Sequence, residues 1–119
     1  LVATGRILGF LAAESAGQCG PCVWGLRAIA ETAAALAAAE AGPGAADQLR
    51  RWAGLVAGRG ACHHPDGAAQ LLTSALAVFA DDVESHLRGR ACLARPDVDV
   101  PHLPRNVAGS DRDRPRAAA

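Results

Sequence analysis

Lysine, methionine and tyrosine are missing from this chain, and its 119 residues include only four aromatic side chains: Phe10, Trp24, Trp52 and Phe79. Half of the residues are hydrophobic, and about half of that share is alanine. Such a chain buries a core only by packing helices closely, because alanine brings backbones together and contributes little area. A small core of this kind gains from an extra staple, and a metal site is one such staple. Neither sign of charge is in excess: twelve Arg balance twelve acidic residues. A nucleic-acid binder normally shows a basic surplus, so the balance gives that class no support. No apolar run reaches the length needed to cross a bilayer, which argues against direct membrane insertion. The apolar stretch up to Ala13 lacks the charged start and cleavage pattern of a signal peptide. The expected location is therefore cytoplasmic. There, four cysteines point to metal or redox chemistry before structural disulfides. With no initiating methionine the chain reads as a segment of a longer protein, and its length fits one domain.

What is present reads as helix from near residue 3 to about residue 88. A first helix spans Thr4–Ser15, with Ile7, Leu8 and Leu11 at helical spacing, until Gly17 and Gly20 interrupt it. A long second helix starts at Pro21, a favoured first-turn residue, and runs to Glu40 with Leu26, Ile29, Ala33, Leu36 and Ala37 in line. Gly42, Pro43 and Gly44 end it. Asp47 is read as the cap of a third helix that carries Leu49, Trp52, Leu55 and Val56, closed by Gly58 and Gly60. Pro65 and Asp66 open a fourth, continuing to Leu87, in which Leu72, Leu76, Phe79, Val83 and Leu87 recur at steps of three and four. Phe79 is thus expected in the core, facing Leu26, Ile29 and Trp52. The fold class is all-α: a small four-helix bundle formed by residues 1–95, followed by a disordered Pro- and Arg-rich tail, 96–119. In an antiparallel bundle the first and third turns lie at the same end.

Those two turns carry the cysteines. Cys19 and Cys22 form C-x-x-C at a helix N-terminus, where thiol pKa falls and free backbone N–H groups face an anionic centre. Cys19-Gly20-Pro21-Cys22 also spells a thioredoxin-like active site, but that reading requires a preceding strand and a βαβ context, and neither is read here. Cys62 adds a third thiol forty residues after Cys22. His63 and His64 follow it, so a zinc site of three cysteines and one histidine competes. The plainer reading makes both histidines polar turn residues that open the fourth helix. Cys92, just past that helix, is either a further ligand or a free thiol. His86 is expected on the exposed side of the fourth helix, and His102 lies in the tail.

The run Glu14-Ser15-Ala16-Gly17-Gln18-Cys19-Gly20-Pro21-Cys22, followed by Gly25, resembles the cluster-binding region of the NADH-binding flavoprotein subunit of respiratory complex I. Related diaphorase subunits of NAD-linked hydrogenases and formate dehydrogenases share this region. That family reads E-S-C-G-x-C-x-P-C-x-x-G. Its second half is matched by Cys62, Asp66, Ala68, Ser74, Leu76, Phe79, Glu84 and His86, in register and without gaps. The resemblance covers residues 4–88. It implies a helical domain binding one [4Fe–4S] cluster through Cys19, Cys22 and Cys62, and relaying electrons from FMN reduced by NADH. The FMN and NADH sites are implied on an upstream domain absent from this chain. The implied partners are other redox subunits or domains, with a peripheral position on the inner face of the plasma membrane as a possible site.

One departure bears on the chemistry. Ala16 stands where the family has its first cluster cysteine, which leaves three matched thiols, one short of the usual set. Cys92, His63, His64 or an external ligand are the candidates for the fourth position; a three-iron cluster and loss of the cluster are the alternatives. Val23 also replaces an arginine of the family. The competing function is a structural zinc or cluster-free helical docking domain.

Overall fold

The computed structural model describes residues 1–91. Within that span every regular element is helical: α1 (Val2–Ala13), a π-helical segment (Pro21–Leu26) running directly into α2 (Arg27–Ala37), then α3 (Ala45–Val56), α4 (His64–Val78) and α5 (Ala80–Leu87). The expected tail, with Cys92 and His102, lies outside the described residues.

The helices pack as four rods, the second and fourth each made of two pieces. α1 lies on α2, α2 on α3, α3 on α4, and α4 back on α1. At Gly5, α1 faces the Ala33–Ala34 backbone of α2 at a distance where a Cβ would make ordinary contact. Between the rods, Leu8, Ile29, Leu49, Leu72 and Leu76 are all nearly or fully buried. Each contributes roughly 1.5–3 kcal/mol on burial. Alanines fill the gaps between them, among them Ala30, Ala53 and Ala69. Trp52 packs against this core from its edge.

Four readings from the sequence need correction. The second helix stops at Ala37, not at Glu40. Ala39 turns left-handed at φ 59°, and Ala39 N–H and Glu40 N–H donate back to Leu36 and Ala35, the Schellman pattern of a helix end. The third helix begins at Ala45, with Gly44 rather than Asp47 at its N-cap and no side-chain cap; Asp47 sits in its first turn and pairs with Arg50 at 2.9 Å. The fourth helix breaks at Phe79, which ends α4 and begins α5 at φ −103°, ψ 33°. The bend turns Phe79 outward to 41% exposure, so it is not a core residue. On α5, Val83 and His86 point inward instead. His86 is 1% exposed, and its Nδ1 donates to the Asp82 carbonyl at 2.7 Å. That bond meets the polar demand of a buried ring.

Candidate metal centre

After α1 the chain turns through Gly17, whose φ of 64° suits a residue without Cβ. It enters the π-helical segment at Pro21, with Cys19 just before it and Cys22 in its first turn. A π-helical stretch is rare and concentrates at functional sites. Here it lies directly on the end of α3. A Cβ added to Gly25 would fall inside 3.0 Å of Val56 Cγ1, closer than real Cβ atoms come.

The third turn, residues 57–63, is braced from α4. Gly58 N–H donates to Asp66 Oδ1 at 2.7 Å. The other oxygen, Oδ2, accepts from His63 Nδ1 at 2.9 Å. These bonds, the Gly58 amide first, hold the Asp66 carboxyl below its ordinary pKa. Gly60 has no room for a side chain: a Cβ there would lie 2.5 Å from Pro65 Cγ and 2.9 Å from the Cys62 carbonyl oxygen. His64 Nε2 donates to the Leu11 carbonyl at 2.8 Å, which ties the start of α4 to the end of α1. The first and third turns therefore sit at one end of the bundle.

Cys19 and Cys22 lie together at the first turn, and Cys62, on the third, is near enough for its charge to act on Cys22. Cys19 is half-buried, Cys22 buried and Cys62 exposed. The Cys19 thiol is held below its ordinary pKa because the backbone N–H groups of Ala61 and Cys22 donate to its sulfur, with the Cys22 thiol adding to them. Burial pushes the Cys22 thiol up, and the charges of Cys19 and Cys62 beside it push the same way. A site with these properties stabilises anionic sulfur at Cys19 and disfavours a second uncompensated thiolate at Cys22. A cationic centre would relieve that repulsion.

Among the described residues, no three His, Cys, Asp or Glu side chains are grouped to hold a single metal ion. A zinc ion with Zn–S bonds of about 2.3 Å needs its sulfurs within about 4 Å of one another. Thiols are a donor type that both a zinc ion and an iron–sulfur cluster take. The histidines do not join the thiols: His63 is engaged by Asp66 and His64 by Leu11. Ala16 is exposed in the first turn, and its carbonyl accepts from Gln18 Nε2 at 3.1 Å. Cys92 lies outside the described residues. Sequence reasoning missed the Ala61 amide, since a backbone donor leaves no mark in residue type. The tight Gly60 beside it was the available signal.

The class is thus a small all-α domain whose first and third turns bring Cys19, Cys22 and Cys62 to one end. Comparison with known proteins gives the family. Residues 2–86 match the NADH-ubiquinone oxidoreductase-F iron-sulfur binding region, and the chain belongs to that family. It is 32% identical over 87 residues to the NADH-quinone oxidoreductase F subunit of Streptomyces coelicolor; the match covers 73% of this chain and 19% of that protein. The chain therefore spans a minor part of this curated relative. No solved structure matches it. Among the described residues, no helix is long and apolar enough to cross a membrane.

Proposed function

We propose that Cys19, Cys22 and Cys62 hold a [4Fe–4S] cluster, and that this chain is the electron-relay portion of a larger NADH:quinone oxidoreductase flavoprotein-like subunit. Its FMN and NADH sites would lie on residues outside this chain, and its partners would be the neighbouring redox subunits. The observation that carries the reading is membership of a family named for iron–sulfur binding, supported by the charges of Cys19 and Cys62 acting on Cys22 across the two turns. Bound there, the cluster supplies one-electron transfer. The chain's own residues do the rest. Ala61 and Cys22 amides donate to the Cys19 sulfur and favour its thiolate form. Buried Cys22 keeps one ligand position away from solvent. Asp66 fixes the turn that presents Cys62. Val23 places no positive charge beside the site, which favours a lower potential than an arginine there would give.

The test is anaerobic reconstitution of the full chain with iron and sulfide, followed by visible absorption and an iron and sulfide count. A brown protein is expected, with cluster content lost in Cys19→Ser, Cys22→Ser and Cys62→Ser. A colourless protein that binds zinc, or full cluster content in all three variants, would refute the proposal.

A further inference from the structure

We propose that Cys19 and Cys22 form a dithiol–disulfide couple in the metal-free chain, a site that reacts with low-molecular-weight disulfides by thiol–disulfide exchange. The pair is set within one turn. The Cys19 carbonyl accepts from Val23 N–H at 3.0 Å, so the helical winding begins at Cys19. Gly20 between them is in right-handed helical geometry, and Cys22 is the second residue of the π-helical segment. Helix geometry puts Cα atoms three residues apart at about 5 Å. That separation falls inside the window of about 4.4–6.8 Å that a disulfide spans. Both are free thiols, and they share a hydrogen bond. Cys62 stands apart on the third turn and acts on Cys22 through its charge. Among the described residues, the three thiols do not close into a group that could hold one metal ion.

Exposure assigns the two roles. Cys19 is half-buried and can be reached from solvent, whereas Cys22 is buried. The residues on either side of Cys19, Gln18 and Gly20, are exposed, so a small reagent has a way in. The amides of Ala61 and Cys22 donate to the Cys19 sulfur and fix its position. In the first step the Cys19 sulfur attacks one sulfur of the incoming disulfide. A bond forms between them, the incoming S–S bond breaks, and the other half leaves with the Cys19 proton as a thiol. The Cys22 sulfur then attacks Cys19 and closes the protein disulfide, and the second half leaves with the Cys22 proton. The chain loses two hydrogens and two electrons, and the reagent gains both. This exchange needs two thiols and access, not the βαβ frame in which a Cys-Gly-Pro-Cys run is usually read. Both thiols also belong to the proposed cluster site, so the disulfide and the cluster exclude one another; that consequence rests on the cluster reading, and the couple itself does not.

The experiment incubates the full chain, reduced and stripped of metal by a chelator, with oxidised glutathione. Free thiols are then alkylated and the chain is cut after arginine. Cys19 and Cys22 share the peptide 7–27, and Cys62 lies in 60–88. Peptide 7–27 should be lighter by two hydrogens, unalkylated and linked to no other peptide, and dithiothreitol should reverse the change. Cys22→Ser should stop at the first step and keep glutathione on 7–27, where Cys19 is then the one thiol. In Cys19→Ser, buried Cys22 should take up glutathione about tenfold more slowly than Cys19 does in Cys22→Ser. Far-UV circular dichroism checks that each variant keeps its helices; if either unfolds, the wild-type peptide 7–27 decides alone. A disulfide joining 7–27 to Cys62 or Cys92, glutathione that persists on wild-type Cys19, or an unchanged 7–27 would each overturn the couple. These outcomes leave the cluster reading untouched, because cluster content is counted separately on the reconstituted chain.

Discussion

Gly25→Ala tests whether the π-helical segment is held against α3 as tightly as the structure shows. The new Cβ would fall inside 3.0 Å of Val56 Cγ1, where ordinary contact begins at 3.4 Å. Val56 is 4% exposed and β-branched, so its methyl has few other rotamers to take within a helix. Overpacking of this kind costs roughly 1–3 kcal/mol. Opposing it, alanine is the better helix former by about 0.8–1 kcal/mol. The steric term should win, with a net destabilisation of up to about 2 kcal/mol. That range is wide, so the decisive measurement is a cycle with Val56→Ala. Without the methyl the clash disappears, and Gly25→Ala should become neutral or stabilising. The coupling between the sites is then about 1–3 kcal/mol. Urea unfolding of the full chain, followed by far-UV circular dichroism, gives all four free energies. Coupling below about 0.5 kcal/mol would refute the close approach. Cys22 lies on the same segment, so Gly25→Ala should also lower cluster content, and the double variant should recover it.

Three further outcomes follow from other parts of the fold. Ala39→Gly should stabilise the chain by about 1 kcal/mol, because Ala39 bears the left-handed penalty of an L-residue at φ 59°; no rise in the urea midpoint would contradict that helix end. Leu72→Ala should cost about 2–5 kcal/mol and Phe79→Ala less than about 2, since the first is buried and the second is at the outer corner of the α4–α5 bend; the reverse order in denaturant unfolding would restore the straight fourth helix. The Asp66 carboxyl sits below its ordinary value of 3.8, so its contribution is present above that pH and lost as pH falls through the depressed value. Asp66→Asn should therefore be less stable than wild type near neutrality and lose less on acidification below about pH 4; parallel acid-unfolding curves would show that the Gly58 and His63 bonds do not hold the turn.

The four rods were legible because glycine and proline punctuate the chain and the apolar positions repeat at helical spacing. The bend at Phe79 was not. Leu72, Leu76, Phe79, Val83 and Leu87 satisfy one straight helix, and neither proline nor glycine marks the break. Once the axis turns, the inward phase passes to Val83 and His86, and Phe79 is left at the outer corner. A histidine at an inward position reads as polar surface when its partner cannot be seen. That partner is the Asp82 carbonyl of its own helix, which every residue type supplies. Asp47 illustrates the same limit. It has the chemistry of a cap, but the cap position of α3 falls three residues earlier, on Gly44, so its carboxylate lies in the first turn and meets Arg50.

At the site, side chains that ligate were visible and the parts that position them were not. Cys19, Cys22 and Cys62 are marked by residue type, and bundle topology brings their turns to one end. Besides the Ala61 amide that donates to the Cys19 sulfur, their relative placement depends on contacts made by residues that carry no thiol. Gly25 sets the π-helical segment on Val56, Asp66 closes the third turn on itself, and His64 fastens that turn's exit to α1. The plain reading of His63 and His64, as polar residues that open a helix, agrees with these bonds. One nitrogen of each imidazole serves as a brace, His63 Nδ1 on Asp66 and His64 Nε2 on the Leu11 carbonyl. A hydrogen bond at one ring nitrogen fixes the tautomer and orients the ring without occupying the other nitrogen. The braces therefore position the imidazoles beside Cys62 without deciding which group completes the donor set that Ala16 leaves one thiol short.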